Sequence, residues 1–271
     1  MKRLRYILIS LFLLLQLESF SQLNHKHFIT MGRIELSEEN YSDAIYNFNK
    51  AIIAKPKDFE GYFLRGIAKY SLNDYIGSVE DFNKTLEIHP LYVRAYHYRG
   101  IANDRLGNYA DAKKDYAKAI ALDPYDAELH IAMGSTLLHL NEFEDAVASF
   151  DTAIIIKPDN AYAYINRGIA KRYLDRLDDA IDDLNKAVYY DFFNAEALVR
   201  RGIIQMEREN YHDALLDFNK ALKLDGDNSI IFFNRGTAYL NIGDTISALR
   251  DYERVNNLDE RNALTYFNRA L

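Results

Sequence analysis

Arginine recurs at a fixed spacing in this chain, and a row of guanidinium groups could bind carboxylate or phosphate ligands. In the stretch NRGIAK (166–171), Arg167 stands directly before Gly168, in a segment that otherwise reads as the buried stripe of a helix. The same pair recurs at multiples of 34 residues, as Arg65-Gly66, Arg99-Gly100, Arg201-Gly202 and Arg235-Gly236. Such a period indicates a repeated structural unit before it indicates a binding site.

Glycine and proline define the repeated unit. Seven of the twelve glycines form one column of period 34 (residues 32, 66, 100, 134, 168, 202 and 236), and all four prolines form another column 24 residues later. Aromatic residues dominate the columns four before and sixteen after the glycine, and small residues fill the column twelve after it. Spacings of three, four and seven predict two helices per unit, with a polar break such as Asn73-Asp74 between them. Each unit is therefore predicted to be a helical hairpin.

This order of columns resembles the tetratricopeptide repeat family, in its exported bacterial form. The resemblance implies an all-α fold, an α-α superhelical solenoid of helix-turn-helix repeats with seven full units and a partial eighth. The sequence departs from the family where tryptophan is usual, because it has none, and where Phe192, Gly226 and Glu260 replace proline. The seven predicted repeats span 25–262, as 25–58, 59–92, 93–126, 127–160, 161–194, 195–228 and 229–262. Residues 263–271 then begin a truncated eighth repeat or form a capping helix.

The N-terminal residues 1–21 have the pattern of a secretory signal peptide. A basic MKRLR precedes ten apolar residues, and small residues surround a cleavage point at Ser21/Gln22. We therefore expect export to the bacterial periplasm, the outer-membrane periphery or the extracellular space. The alternative is an uncleaved anchor, although Gln16 and Glu18 interrupt the run before the about 20 apolar residues that a span requires.

The composition disfavours several partners. The chain has no cysteine, so neither a lipid anchor nor a disulfide is expected. Cleavage after Ser21 would change the net charge from −7 to −9, since it removes three basic residues and one acidic residue. Nucleic acid and anionic lipid surfaces are therefore not expected as partners.

A column of acidic residues accounts for the arginines. In an antiparallel hairpin, the residue fifteen after the glycine lies level with the arginine, about 12 Å from the turn. This column holds aspartate wherever arginine occurs, whereas Met31 faces Asn47 and Met133 faces Ser149. The sequence thus predicts structural ion pairs rather than an anion-binding row: Arg65 with Asp81, Arg99 with Asp115, Arg167 with Asp183, Arg201 with Asp217, and Arg235 with Asp251.

In the family, the first helices line a concave groove, and here that face carries mostly apolar residues. It predicts a groove that binds a peptide or protein partner; the alternative is that neighbouring first helices cover most of it. Chaperone-binding relatives use lysine and asparagine on these faces, which Ile29 and Arg33 do not supply, so a carboxylate-tail ligand is disfavoured. The candidate groove residues are Phe63, Ile67, Tyr70, His97, Ile101, Ile131, Ile165, Ile169, Arg172, Val199, Ile203 and Phe233.

A second candidate surface lies where proline is lost. Tyr189, Phe192 and Phe193 form either a partner-binding aromatic patch or local packing of the junction, and Tyr190 is expected in the core.

No motif predicts catalysis, a metal or a cofactor. His25 and His27 are expected at an exposed start, and no set of histidines and carboxylates has metal-ligand spacing. The sequence contains no nucleophile elbow, phosphate loop or dinucleotide fingerprint, so an enzyme is not expected. Two functions remain: an exported, non-catalytic interaction scaffold, or the extracytoplasmic sensory part of a longer signalling protein truncated at residue 271. Self-association through an uncapped C-terminal end is a further expectation.

Overall fold

The computed structural model describes residues 24–258, which form fourteen α-helices and contain no β-strand in that range. The predicted signal peptide, Glu260 and the predicted eighth unit lie outside these residues. From the second hairpin onward, first helices have 13 residues and second helices 14. The helices are α1 (24–37), α2 (Tyr41–Ala54), α3 (Phe59–Ser71), α4 (Tyr75–Ile88), α5 (Val93–Arg105), α6 (Tyr109–Leu122), α7 (Ala127–His139), α8 (Phe143–Ile156), α9 (Ala161–Tyr173), α10 (Leu177–Tyr190), α11 (Ala195–Glu207), α12 (Tyr211–Leu224), α13 (Ser229–Asn241) and α14 (Thr245–Leu258).

The turn between the two helices of a hairpin has a left-handed residue seven positions after the column glycine. Gly107 and Gly243 take this conformation with φ of +76° and +82°, and Asn73 and Asp175 take it with φ of +62° and +59°. Backbone bonds close the turn, as where Asp74 N donates to Lys69 O at 2.9 Å. Glycine, asparagine and aspartate tolerate positive φ better than most residues and hold this position in five turns, whereas Glu39 and Glu209 hold it in two.

The junctions between hairpins are closed by N-caps. The Asn160 and Asn194 side chains accept hydrogen bonds from Ala163 N and Ala197 N at the starts of α9 and α11. Asn194 N also donates to Asp191 O at 3.2 Å, as Asn160 N does to Lys157 O at 3.3 Å in the junction that contains proline. The junction at Phe192 therefore keeps this turn bond without proline.

The chain divides after Thr136 into two compact units. In the first unit α3 packs on α4 and α5 on α6; in the second, α9 packs on α10, α11 on α12 and α13 on α14. Within each unit a second helix also packs on the next first helix, as α4 on α5 and α10 on α11. Within each unit, hairpins thus bury apolar surface against their chain neighbours, as solenoid repeats do.

The cores use the aromatic column sixteen residues after the glycine. Phe48, Phe82 and Tyr116 are fully buried in the first unit, and Phe150, Leu184, Phe218 and Tyr252 in the second. Most of these rings lie directly on the column glycine of the same hairpin: a Cβ built at Gly202 would meet the Phe218 ring at 2.7 Å. In these hairpins glycine therefore permits the close approach of the two helices. Among residues 24–258, no helix has the length and apolar character that crossing a bilayer demands.

Candidate functional site

Each of the five column arginines binds the aspartate sixteen residues later, on the second helix of its own hairpin. Arg167 Nε donates to Asp183 Oδ2 at 2.8 Å, and Arg167 Nη2 donates to Asp183 Oδ1 at 2.5 Å. The same two-bond geometry recurs in the other four pairs, with distances of 2.5–2.9 Å. Planar bidentate pairs of this kind are strong and fix orientation. The structure brings together all five predicted pairs.

A third contact of each arginine was not anticipated from the sequence. Arg167 Nη1 donates to Asp151 Oδ1 at 2.5 Å, on the second helix of the preceding hairpin. Asparagine takes this place in the other four cases, as where Arg201 Nη1 donates to Asn185 Oδ1 at 2.7 Å. The sequence contains a pattern that could have predicted this contact. In the repeat before each arginine, the column seventeen residues after the glycine holds Asn or Asp, whereas in the repeat before Met133 it holds Ala117. Each arginine therefore joins three helices.

The column arginines form ion pairs and hydrogen bonds with other residues of the chain. The side chains of Arg167 and Asp183 are 12% and 2% exposed, and Lys171 Nζ lies 2.7 Å from Asp183 Oδ2. Burial lowers the pKa of Arg167, but the hydrogen bonds and charges of Asp183 and Asp151 outweigh that effect and raise it above the ordinary value. A guanidinium that is charged, paired and mostly buried has little capacity left for an external anion.

The candidate groove residues separate into two groups by burial. Phe63, Ile131 and Ile165, three positions before the glycine, are 2%, 5% and 1% exposed, so they belong to the core rather than to an open groove. Their side chains are covered by neighbouring helices, which corrects their assignment to the binding face. The other candidates are half-buried: Ile67, Tyr70, His97, Ile101, Ile169, Arg172, Val199, Ile203 and Phe233.

In the first unit, the half-buried face carries polar groups beside its isoleucines. Tyr70 accepts a hydrogen bond from Arg105 Nε at 3.2 Å. Burial lowers the pKa of His97 below its ordinary value of 6.5, although Asp126 and Glu128 act in the opposite direction. The neutral imidazole is therefore favoured on this face near neutral pH.

Beneath this face lies a buried network that the sequence did not predict. The Tyr116 hydroxyl donates to Asp104 Oδ2 at 2.7 Å, and the Thr136 hydroxyl donates to the same carboxylate at 3.0 Å. Burial and the Asp104 charge raise the pKa of Tyr116. These bonds satisfy polar groups that would otherwise be buried without partners, so their role is structural.

In the second unit, Val199 and Ile203 of α11 line a cavity of about 290 Å³ between α11 and α13. Ile231 contributes to the apolar part of the lining, and Glu196 and Arg200 contribute polar groups to it. Arg172 is engaged elsewhere, because its Nε donates to Glu207 Oε1 at 2.8 Å, which joins α9 to α11. The cavity is lined by Ala195, Glu196, Val199, Arg200, Ile203, Asp225, Asn228, Ile230 and Ile231.

The aromatic patch is exposed. Tyr189, Phe192 and Phe193 are 81%, 72% and 76% exposed. The two phenylalanine rings contact each other edge to face, with 5.5 Å between their centroids. Tyr190 was predicted in the core, but it is 42% exposed and stacks on Tyr164 at 5.6 Å between ring centroids. That prediction was wrong because this column, at the end of the second helix, is only partly covered: Leu224 and Leu258 in the same column are 40% and 37% exposed.

One side-chain cluster contradicts the sequence-based expectation for the N-terminal histidines. His25 was expected at an exposed position but is buried, with 5% of its surface exposed. His27 is exposed as predicted. One donor atom each of His25, Asp58 and Glu60 lies within 4.8 Å of the other two, although their sequence spacing matches no metal motif. Asp58 and Glu60 lie at the start of α3, the first helix of the next hairpin, so the cluster forms only when α1 and α3 come together.

Five sequence models of the tetratricopeptide repeat match the chain. Their matches run without a gap from residue 63 to residue 250, which is more than half of the 271 residues. The chain belongs to the tetratricopeptide repeat family. Members of this family are in general non-catalytic scaffolds for protein–protein interaction. The matched segments are 63–127, 105–167, 161–194, 195–228 and 218–250.

Solved structures show the same fold. A tetratricopeptide repeat protein from Parabacteroides merdae is similar with a TM-score of 0.73 and 13% identity, covering 92% of this chain and 98% of that one. PilW, a type IV pilus biogenesis factor, is similar with a TM-score of 0.71 and 16% identity, covering 77% and 97%. YrrB, described as having an unusual peptide-binding site, has a TM-score of 0.57 and 22% identity, covering 68% and 95%. A search of curated protein sequences found no match.

Proposed function

We propose that the chain is a non-catalytic scaffold that binds a peptide or protein partner on the groove face of its first helices. The single observation that carries this proposal is the cavity between α11 and α13. Its lining combines Val199, Ile203 and Ile231 with a few polar side chains, a combination found in protein ligand sites.

The size of the cavity suits an anchor side chain. At about 290 Å³ it lies at the lower limit of small-molecule pockets, which begin at about 300 Å³. An apolar side chain of a peptide would occupy the floor, while the peptide backbone and its polar neighbours would meet Glu196, Arg200 and Asn228. The peptide-binding site described for YrrB is consistent with this use of the fold, although 22% identity supports likeness of fold alone.

Peptide selection followed by affinity measurement tests the proposal. The purified protein would be used to select peptides from a random displayed library, and their binding would be measured by fluorescence anisotropy. We expect Ile203→Glu to weaken the selected peptides about 30-fold or more, because burying an anchor contributes about 2 kcal/mol or more at an interface hot spot.

The matched control is Ile155→Glu in the same unit. Ile155 is 79% exposed on the second helix α8 and does not line the cavity, so this variant should bind as the wild type does. Circular dichroism melts would establish that both variants fold. Selected peptides that bind Ile203→Glu and the wild type equally, or a selection that yields no binder, would contradict the proposal.

The proposed scaffold acts outside the cytoplasm. This part of the proposal is motivated by the signal-like pattern of residues 1–21.

A further inference from the structure

Three side chains able to ligate a metal ion converge where α1 meets the start of α3 in the first unit. His25 lies in the first turn of α1, Asp58 is the N-cap of α3, and Glu60 lies in the first turn of α3. One donor atom from each lies within 4.8 Å of the other two. A bound ion would therefore join the first hairpin to the second.

The orientation of the His25 ring is fixed by a backbone group. Nδ1 lies 3.0 Å from the carbonyl oxygen of Ala51, and because a carbonyl oxygen only accepts, Nδ1 carries a proton. Metal-ligating histidines commonly donate their second ring N–H to a backbone carbonyl in this way. The ring thus presents Nε2 to the carboxylates.

Nε2 of His25 lies directly against a carboxylate oxygen. Nε2 lies 3.2 Å from Asp58 Oδ2, and a neutral ring with its proton on Nδ1 would place a lone pair against a carboxylate oxygen there. Either a proton on Nε2 or a metal ion shared by the two groups removes this repulsion. With only 5% of His25 exposed, water cannot readily separate the two atoms.

Both carboxylates are paired with basic side chains that are partly exposed to water. Lys55 Nζ donates to Asp58 Oδ2 at 2.9 Å, and Arg33 Nη2 donates to Glu60 Oε1. The Lys55 and Arg33 side chains are about half exposed, whereas Asp58 is largely covered. An incoming divalent ion can therefore displace both basic groups into solvent while the carboxylates stay in place.

We propose that His25, Asp58 and Glu60 bind one divalent transition-metal ion, with water completing its coordination. One imidazole nitrogen with two carboxylate oxygens suits Zn²⁺, whereas Mg²⁺ and Ca²⁺ prefer oxygen ligands alone. Tetrahedral bonds of about 2.0–2.2 Å require donor atoms about 3.4 Å apart, so part of the cluster must close on binding. The partly exposed Glu60 side chain supplies that movement.

Isothermal titration of the protein, purified without a polyhistidine tag, tests this site with ZnCl₂ and, in parallel, MgCl₂. The wild type should bind one Zn²⁺ per chain and bind Mg²⁺ more weakly. His25→Gln and Glu60→Gln each remove one ligand, and each should lower Zn²⁺ affinity at least about tenfold, since even the loss of an outer-shell partner costs 10–100-fold. His27→Ala is the matched control, because His27 is exposed two residues away and should not affect binding.

Thermal melts with and without Zn²⁺ separate a metal site from a purely structural ion pair. A metal site raises the melting temperature of the wild type and His27→Ala in Zn²⁺ but not that of His25→Gln. A structural ion pair alone gives the same melting temperature with and without Zn²⁺ in every variant, which would overturn the proposal. If His25→Gln does not fold, Glu60→Gln decides alone. Absence of Zn²⁺ binding to the wild type, or unchanged affinity in the folded ligand variants, would also overturn it.

Discussion

The guanidinium of each column arginine holds three helices together through hydrogen bonds to one aspartate and one further side-chain oxygen. Arg201 binds Asp217 within its hairpin and Asn185 of the hairpin before, and Arg167 binds Asp183 and Asp151 in the same way. Losing one member of a buried pair leaves the other charge without a partner, whereas losing both can be nearly neutral. This explains why methionine in the arginine column accompanies Asn47 or Ser149 in the partner column.

The difference between these two pairs leads to a prediction for single and double variants. Arg201→Met should cost about 3–5 kcal/mol because Asp217 is left buried, and adding Asp217→Asn should restore much of that loss. Arg167→Met should cost less, because Lys171 Nζ still lies 2.7 Å from Asp183, whereas Gln205 stands at the corresponding position beside Asp217. Asp183→Asn should likewise rescue Arg167→Met, and thermal melts of both double-mutant cycles would measure the coupling.

The salt dependence of the unfolding free energy provides a control for this double-mutant cycle. Salt screens exposed charge pairs but weakens buried pairs much less. Arg176→Met is a suitable exposed comparison, because Arg176 pairs with Asp179 at a side-chain exposure of 49% for each and should cost little. Simple additivity of the Arg201 and Asp217 substitutions would refute the pairing as a stabilising interaction.

Contacts between two repeat columns could be predicted from the sequence where the residue types in the two columns change together from repeat to repeat. Contacts without this joint variation were missed. Arginine and aspartate alternate with uncharged residues in step across seven units, so their pairing follows from the sequence alone. The same logic applied to the column of Asn185 would have found the third contact. His25 offers no column record, because it occurs once and its partners lie in the next hairpin. Such a cluster depends on how hairpins stack, which periodicity alone does not specify.

Helix pairs pack at the distance that glycine and the aromatic column permit. A Cβ at Gly202 would meet the Phe218 ring at 2.7 Å, whereas at Gly168 it would meet Leu184 Cγ at 3.3 Å and the Ala180 carbonyl oxygen at 3.2 Å. Leucine replaces the aromatic ring in that hairpin and leaves more room. The same glycine column therefore differs in tolerance from one hairpin to another.

Alanine substitution should reveal this difference. Gly202→Ala should destabilise the protein by about 1–3 kcal/mol through overpacking, partly offset by a gain in helix propensity of about 1 kcal/mol. Gly168→Ala should be close to neutral, because its smaller overlap is balanced by the same gain. Urea unfolding monitored by circular dichroism would rank the two variants. The double variant Gly168→Ala with Leu184→Phe should restore the penalty, and equal effects of the two alanines would contradict this account.

Element boundaries followed from the sequence more closely than the exposure of their faces. The polar break at Asn73-Asp74 coincides with the end of α3 and the start of α4, and Asn73 takes the left-handed conformation of the turn. By contrast, Phe63 and Ile67 lie on one predicted stripe, yet Phe63 is buried and Ile67 half-buried. A helical period defines a face, but the neighbouring helices decide how much of that face remains open.

At the scale of the whole molecule, a repeat scaffold separates stability from binding. The arginine bonds, the glycine contacts and the buried aromatic rings recur in most of the hairpins, whereas the cavity between α11 and α13 involves residues that vary between repeats, such as Val199 and Glu196. The family and fold were accessible from the 34-residue period, since each repeat must bury its surface against its neighbours. The partner was not, because in the proposed function binding depends on those variable residues and on a ligand that the sequence does not contain.

Export is the remaining whole-molecule prediction, and it rests on residues 1–21. Expressed in a bacterium with a general secretion pathway, the chain should be cleaved after Ser21, so the isolated protein should begin at Gln22 and have a mass that lacks 21 residues. Intact-mass spectrometry of periplasmic and membrane fractions measures this directly. Leu13→Glu with Leu14→Glu should block export, because two charges interrupt the apolar run that the secretion machinery recognises, whereas Ile155→Glu, in the folded part, should leave it unchanged. Recovery of uncleaved chain in the membrane fraction would instead favour the N-terminal anchor, and then the scaffold would face its partner from a membrane surface rather than free in solution.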